Sequence, residues 1–377
     1  MKIVFTGGGT GGHFYPIIAI AESIKKIVTE KKLVDLDLFF FGPTPYNQGI
    51  LYDHNIEYKK VVAGKMRRYF SILNFIDLFK TGFGSLGALF KLFDVFPDVV
   101  FSKGGFGSFP TVLAARILRI PVVLHESDSA PGRVNKWTGK FATRIALSYK
   151  EAAEYFDPQK VAFTGQPILE DKLNRLTTNA FEFFELDKSV PVIFIMGGSQ
   201  GAETINNAVL DSLPGLVKSY QILHQTGAAH LEVMKESASA ILLGNENKSR
   251  YRPFAYMNSF EMRMAAGASS LVISRAGSTI FEIASWEVPS IIIPIEDSNE
   301  NHQVKNAFAY AHSGACSVLQ EENLKTHILL AEINRVLGSE EIMQRMREGA
   351  KNFFKPGAAD QIAKELVAIA LSHQKLD

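Results

Sequence analysis

A chain of 377 residues is too long for one ordinary core, since domains run to about 150 residues, so two domains are expected and a single small module is excluded. With 46% hydrophobic and 21% charged residues it has the composition of a globular protein, neither disordered nor fibrous. Lys+Arg 40 against Asp+Glu 39 leaves +1, which removes the basic balance of a protein that lives on nucleic acid, and the lone Cys316 makes neither an internal disulfide nor a cysteine-rich metal site.

The N-terminus turns from Met1-Lys2-Ile3-Val4-Phe5 straight into glycines, without the 7–15-residue apolar region of a signal peptide, and no run of about 18 apolar residues follows. A cytoplasmic location is therefore expected. Along the chain, short β-branched or aromatic runs alternate with helical stretches, the pattern of a parallel sheet covered on both faces. The expected strands are 2–6, 36–41, 98–102, 122–125, 144–148, 192–196, 220–225, 270–274 and 290–293. Both halves carry this pattern.

The halves also match each other. Ile3–Gly11 aligns with Ile193–Gly201 at an offset of 190, Val100–Gly105 with Val272–Gly277 at 172, and Ile120-Pro121 with Val288-Pro289 at 168. Three matches in one order predict an α/β fold of two similarly built Rossmann-like domains, with ligands bound beyond the carboxyl ends of the strands in a cleft between them. Gly8 and Gly105 are 97 residues apart and Gly198 and Gly277 only 79, so the first half holds an excess of 18.

A phenylalanine-rich segment lies in that interval. Seven of the 28 Phe fall at 70, 75, 79, 83, 90, 93 and 96. Apolar residues at Ile72, Ile76, Phe79, Phe83, Leu86, Phe90 and Phe93 step by 4 and 3, marking one face of a helix, or of two short helices broken near Gly82, Gly84 and Gly87. Lys65, Arg67, Arg68, Lys80 and Lys91 face Asp77 and Asp94, a local excess of positive charge. Two readings stand: a core helix with a solvated face, or an apolar and basic surface that docks on anionic lipid.

Gly7, Gly9 and Gly12 have the dinucleotide spacing G-x-G-x-x-G, but the second strand ends Phe39-Phe40-Phe41-Gly42-Pro43 without the acidic residue that would hold a ribose, which disfavours NAD. Asp35-Leu36-Asp37, a D-x-D, precedes its strand and reads as a surface start, not a metal site. Glycine turns at 7–12 and 197–201 bring backbone N–H groups and helix N-termini toward an anion, so a diphosphate-bearing ligand suits them. His13, opening the first helix, has a pKa suited to proton transfer; the plain alternative is a packed or capping imidazole.

Six motifs then follow in order: Gly8-Gly9-Thr10-Gly11-Gly12-His13; His125-Glu126-Ser127-Asp128 with Pro131-Gly132; Thr164-Gly165-Gln166-Pro167; Gly197-Gly198-Ser199-Gln200-Gly201-Ala202; Ser274-Arg275-Ala276-Gly277; and His302-Gln303-Val304-Lys305-Asn306-Ala307. This order resembles the MurG family of GT-B glycosyltransferases, from Met1 to about residue 360. The resemblance implies an N-terminal acceptor and membrane-docking domain, 1–165, with a C-terminal helix, 355–377, packed back on it, and a UDP-N-acetylglucosamine-binding domain, 166–354. It implies inverting transfer of N-acetylglucosamine to the C4 hydroxyl of the muramyl sugar of lipid I, giving lipid II for peptidoglycan, at the cytoplasmic face of the membrane. No cofactor or protein-held metal is implied.

By the same resemblance, His13 is the candidate base. Thr10, Gly11 and Gly12 contact donor sugar or acceptor diphosphate, Ser199 and Gln200 hold donor phosphates or sugar, Glu282 takes the ribose hydroxyls, Gln303 the sugar, and Glu126 helps build the cleft. Membrane docking falls to Phe70, Phe75, Phe79, Phe83, Phe90 and Lys80. Three departures stand out. Asp128 replaces a frequent Asn and offers a second candidate base and sugar ligand. Leu169 replaces a common Arg, leaving Lys103 or Arg275 to supply a cation. Seven steps instead of eight separate Arg275 from Glu282, which leaves the register of the substrate-binding Ser278 and Thr279 open. A related transferase with another lipid or natural-product acceptor, a UDP-sugar sensor and a sugar-nucleotide epimerase are the rival readings.

Overall fold

The computed structural model describes residues 1–33, 35–64, 72–197, 202–296 and 301–372, without the side chains of 72–74 and 76. They fall into two compact units, Met1–Leu169 with Lys355–Asp377, and Glu170–Phe354.

The first unit runs β1 (Lys2–Thr6), α1 (Gly11–Glu30), β2 (Asp37–Gly42), α2 (Gln48–Asp53), β3 (Ile56–Lys60), α3 (Ile72–Val95), β4 (Val99–Ser102), α4 (Phe109–Ile117), β5 (Val122–Glu126), α5 (Arg133–Gly139), β6 (Arg144–Leu147) and β7 (Val161–Phe163). All its strand pairs are parallel, in the order β3-β2-β1-β4-β5-β6-β7. One sheet face packs Ile3, Phe5, Phe40 and Phe101 against Ile17, Ile20 and Ile24 of α1, the other Val4, Phe41 and Val100 against Leu92, Val95 and Val112. Burial on both faces explains why these strands read as continuous apolar runs.

The second unit runs α6 (Ala180–Phe183), β8 (Val192–Met196), α7 (Glu203–Ser219), β9 (Gln221–Gln225), α8 (Leu231–Ile241), β10 (Tyr251–Phe254), α9 (Ser259–Ala268), β11 (Leu271–Ser274), α10 (Thr279–Trp286), β12 (Ser290–Ile292), α11 (His302–His312), β13 (Cys316–Val318), α12 (Thr326–Leu337) and α13 (Glu340–Phe353). Its parallel order is β10-β9-β8-β11-β12-β13. The last helix, α14 (Ala358–Ser372), returns to the first unit. There Ile362, Ala363, Leu366 and Val367 join the α1 core, and Ser23 Oγ donates to Asp360 Oδ1 at 2.7 Å.

In each sheet the order reverses beside the strand that precedes the glycine turn, between β1 and β4 and between β8 and β11. Such a reversal is where an α/β sheet opens a crevice at its carboxyl edge. The three internal matches pair β1 with β8, β4 with β11 and β5 with β12, strands that hold equivalent sheet positions. The excess of 18 residues falls largely in α3, which has 24 residues where α9 has 10.

α3 is one unbroken helix despite Gly82, Gly84 and Gly87, so the reading as two short helices is not what forms. It packs inward through Ala88, Leu92 and Val95. Phe75, Phe79, Phe83, Leu86, Phe90 and Phe93 lie on the exposed side, Phe83 and Phe90 with 73% and 72% of their surface open. From Phe79 to Phe93 the apolar row is thus the outer face, and the core-helix reading of it is corrected: small and aliphatic residues fit under the helix, while large side chains, Leu78 among them, are left outside.

Candidate active site

In the first unit the carboxyl ends of β1, β4 and β5 gather a cluster of titratable side chains. Lys103 follows β4 and is buried, as are His125 and Glu126 at the end of β5. Lys103 Nζ donates to His125 Nδ1 at 2.7 Å and to Ser127 Oγ. With Nδ1 accepting, His125 Nε2 carries the proton and donates to Gly165 O at 3.3 Å and to Ser148 Oγ at 3.2 Å, whose own hydroxyl donates to Gln166 Oε1 at 2.7 Å. Burial and the Lys103 charge hold the His125 pKa well below the usual imidazole range, so it is a neutral bridge within the network.

Glu126 has both carboxyl oxygens engaged: Oε1 accepts from the Asp128 backbone N–H at 2.9 Å and Oε2 from Asn135 Nδ2 at 2.7 Å. Burial, then the Asp128 charge, push its pKa up to about 7. The same burial, opposed by Glu126 and Asp128, brings Lys103 down to about 7.

His13 sits in the first turn of α1, half-buried, with Thr10 at the helix N-cap and Thr10 Oγ1 3.5 Å from His13 Nδ1. A Cβ on Gly8 would lie 2.5 Å from His13 Nδ1, and one on Gly105, at φ +78°, 3.2 Å from its Cε1. Only glycine leaves this slot open, which ties the Gly-Gly sequences after β1 and β4 to the ring between them. Desolvation, then Lys103, push the His13 pKa down to about 4, against the pull of Asp128. The imidazole is therefore neutral near pH 7. Gly11 and Gly12 open α1 beside it.

In the second unit Glu282 lies in the first turn of α10, mostly buried, with Oε1 3.5 Å from Lys172 Nζ. Burial raises its pKa, and Lys172 opposes that. The carbonyl of Lys172 also accepts from Trp286 Nε1 at 3.0 Å, so its 3₁₀ turn (Glu170–Lys172) is fastened to α10 at two points. Ser278 stands at the N-cap position of α10, without a side-chain cap hydrogen bond, and Thr279 begins the helix. Gln303, in α11, accepts from Ile295 N at 3.2 Å through Oε1. Ser199 and Gln200 lie outside the described residues, as does Phe70.

The cations named for the place of the missing Arg are committed elsewhere. Arg275 binds Glu321 Oε1 at 2.5 Å and Ile293 O at 3.1 Å, and Lys103 belongs to the first-unit cluster. Leu169 packs against the α1 core, and Lys172, three residues on, is the lysine that meets Glu282. The sequence reading gave His125 and Asn135 no role. The signal for His125 was its place directly after the apolar run Val122-Val123-Leu124 of a buried strand, and nothing in the sequence marked Asn135. Among the described residues no group of three or more His, Cys, Asp or Glu side chains is arranged to hold a metal ion.

The glycosyltransferase family 28 N-terminal domain matches residues 3–147, and the glycosyltransferase family 28 C-terminal domain matches 192–362. A curated relative from Treponema denticola, named UDP-N-acetylglucosamine–N-acetylmuramyl-(pentapeptide) pyrophosphoryl-undecaprenol N-acetylglucosamine transferase, is 35% identical and covers 98% of this chain and 96% of its own. The chain belongs to glycosyltransferase family 28, among the MurG enzymes. The crystal structure of MurG from Acinetobacter baumannii shares the fold, with a TM-score of 0.74 at 21% identity over 97% of this chain and 99% of that one. A UDP-GlcNAc 2-epimerase from Neisseria meningitidis has the same fold at 0.68, with 15% identity and coverage of 98% and 100%. Two-sheet architecture is thus common to transferases and epimerases, and what marks this MurG chain is its residues.

Proposed function

We propose that this MurG-family chain moves N-acetylglucosamine from UDP-N-acetylglucosamine to the C4 hydroxyl of the muramyl sugar of lipid I, with inversion at C1, releasing UDP and forming lipid II for peptidoglycan. The observation that carries the reading is the His13 slot at the carboxyl edge of the first sheet, in a chain 35% identical over nearly its whole length to an enzyme so named. An inverting displacement needs one group to take the acceptor hydroxyl proton as the oxygen attacks. His13, neutral at pH 7, has an unprotonated nitrogen for that task, and Asp128, in the β5–α5 connection, is the alternative base.

Glu282 suits the ribose, since a carboxylate accepts from two vicinal hydroxyls and its place in the first turn of α10 favours an anion there before nucleotide arrives. Gln303, Ser278 and Thr279, with Ser199 and Gln200, complete the donor contacts, and Thr10, Gly11, Gly12 and Glu126 the acceptor side. α3 supports a peripheral seat on the cytoplasmic face of the membrane: Phe75, Phe79, Phe83 and Phe90 would enter the lipid boundary, with Lys80 near anionic headgroups. No helix among the described residues is long and apolar enough to cross a membrane.

The test is transfer of label from UDP-[¹⁴C]N-acetylglucosamine to a short-chain lipid I analogue, beside UDP-glucose and a reaction without acceptor. Acceptor-dependent, donor-selective label in the lipid is the expected result. Donor binding without transfer would point to another acceptor, and a changed sugar nucleotide without acceptor to an epimerase.

A further inference from the structure

The proposed reaction uses the first glycine turn and the groups on one flank of it; the other flank is aromatic. The strand order β3-β2-β1-β4-β5 lines up, along one carboxyl edge, the segments after β3 and β2, the glycine turn after β1, and the turns after β4 and β5. His13 turns toward the β4 side, where its ring lies against Gly8 and Gly105. Tyr15 comes two residues later, which is about 200° around the helix at 3.6 residues per turn, so it leaves α1 on the opposite side. There it meets Tyr46 of the loop after β2 edge to face, with ring centres 5.7 Å apart.

Tyr46 is held from beneath and at both ends of its loop. Its ring centre stands 5.9 Å from that of Phe14, which stands 6.1 Å from that of Phe40 in β2, and both phenylalanines are buried. The Tyr58 hydroxyl donates to Pro43 O at 2.9 Å where the loop begins, and Asn47 Oδ1 accepts from Ile50 N at 3.2 Å where it ends. Tyr46 still keeps 37% of its surface open, and it and Tyr15 each come within 3.5 Å of where a Cβ on Gly11 would be. An aromatic pair fixed beside a turn that suits a diphosphate is a preformed apolar surface, which loses little freedom when a ligand settles on it.

The order of groups in the proposed acceptor says what settles there. Its diphosphate joins the muramyl sugar on one side to the isoprenoid on the other. With the diphosphate at the glycine turn and the C4 hydroxyl at His13, the sugar takes the β4 side and the isoprenoid leaves across the β2 side. The same direction leads to α3. Val61 N donates to Gly42 O at 2.9 Å and Gly64 N to Thr81 Oγ1 at 3.1 Å, and a side chain on Gly84 would collide with Val62 O, so the segment after β3 ties the start of the Tyr46 loop to that helix. Val62 in this segment and Phe79 and Phe83 on α3 are exposed, continuing the apolar surface outward. We propose that Tyr46, backed by Tyr15, forms the subsite for the first isoprene units of the acceptor's lipid, and so makes the chain selective for what is esterified to the diphosphate. The assignment rests on the proposed function for the placing of the sugar.

The experiment uses the full chain and two soluble acceptors, the muramyl-pentapeptide diphosphate esterified to geranyl or to methyl, with wild type, Tyr46→Phe, Tyr46→Ala and Tyr46→Gln. Tyr46→Ala and Tyr46→Gln should raise the KM for the geranyl acceptor by about 10-fold and leave that for the methyl acceptor within about twofold, while Tyr46→Phe behaves as wild type with both. The kcat at saturating acceptor and the KM for UDP-N-acetylglucosamine should stay within about twofold throughout. An equal rise for both acceptors puts the ring against the sugar or the diphosphate, and no rise for either leaves it without acceptor contact; each result overturns the proposal. Should Tyr46→Ala fail to fold, Tyr46→Gln, which keeps the bulk and removes the apolar face, decides the matter. A wild type that transfers to neither acceptor defeats the proposed reaction, and binding then tests the subsite by itself. By calorimetric titration, geranyl diphosphate should bind wild type about 10-fold more tightly than Tyr46→Gln, with inorganic diphosphate bound equally by both; equal affinities for geranyl diphosphate overturn the subsite.

Discussion

The two units are built on one plan and load it with different chemistry. Each has a parallel sheet whose order reverses beside a glycine turn. At that edge the first unit buries a lysine hydrogen-bonded to a histidine, and beside them a glutamate held by the Asp128 N–H and Asn135, with His13 close by. At its counterpart, β11 to α10, the second unit carries two partly open ion pairs, Lys172–Glu282 and Arg275–Glu321. Partners make the difference: in the first unit Lys103, His125 and Glu126 are desolvated within one polar cluster and shift toward neutrality, whereas in the second the burial that raises the Glu282 pKa is opposed directly by Lys172, which favours a carboxylate that binds hydroxyls. The same strand-turn-helix frame therefore suits proton transfer in one unit and nucleotide recognition in the other.

The contrast is easiest to break at His13. His13→Ala should lower kcat by ~10²–10⁴ at pH 7.5 with donor affinity unchanged; a loss under ~10-fold, matched by an equally small loss in Asp128→Asn, removes proton chemistry from the first unit. On the other side, Glu282→Ala should raise the KM for UDP-N-acetylglucosamine by ~10–100-fold and leave kcat with saturating donor nearly intact, the reach of a charged hydrogen-bonding group. If 2′-deoxyribose donors show the same penalty in wild type and variant, Glu282 does not hold the ribose.

A further difference between the units is α3, which has no equivalent of its length in the second. The double variant Phe83→Glu/Phe90→Glu should cut partition onto anionic vesicles by ~10–100-fold while sparing turnover of a soluble acceptor, because both rings are exposed and their loss opens no cavity. Equal binding by the variant would return α3 to an ordinary surface. A smaller effect is expected at Lys172→Met. Burial already raises the Glu282 pKa, and loss of the lysine raises it further, so the KM for donor should climb several-fold as pH falls from 8 to 6, with little change at pH 8.

The second unit has its own buried imidazole, and it sharpens the point because it is structural. His224 Nδ1 meets Tyr251 Oη at 3.0 Å and Nε2 meets Asn206 Oδ1 at 3.1 Å, and burial pushes its pKa down to about 3. A histidine whose folded pKa is depressed gives stability that is full above its unfolded value near 6.5 and lost as pH falls from there toward 3. Urea titrations should lose on the order of 2–4 kcal/mol across that window, and His224→Gln should flatten the slope while leaving transfer at pH 7.5 intact. An unchanged slope would place the acid sensitivity elsewhere.

Much of the frame was legible in the residues. The nine expected strands all form, because buried parallel strands are continuous apolar runs and their punctuation by glycine and proline is local. β3, β7, β10 and β13 were missed: Ile56–Lys60 and Tyr251–Phe254 carry charged residues, and the other two are three residues long, edge features whose pairing is decided by neighbours. Periodicity found the apolar row of α3, yet a row of phenylalanines looks the same whether it faces a core or solvent.

What the sequence determined by itself was the alternation of strand and helix, the doubled plan with its glycine turns, and a set of ordered motifs sufficient to name a family, since each depends on residues close together in the chain. The tertiary structure decided which side of α3 lies outward, and that Lys103, 22 residues before His125 and 90 after His13, stands in one polar cluster with both. Those outcomes depend on strand order in the sheet and on desolvation at its carboxyl edge, quantities set by the packed chain as a whole and by no segment of it alone.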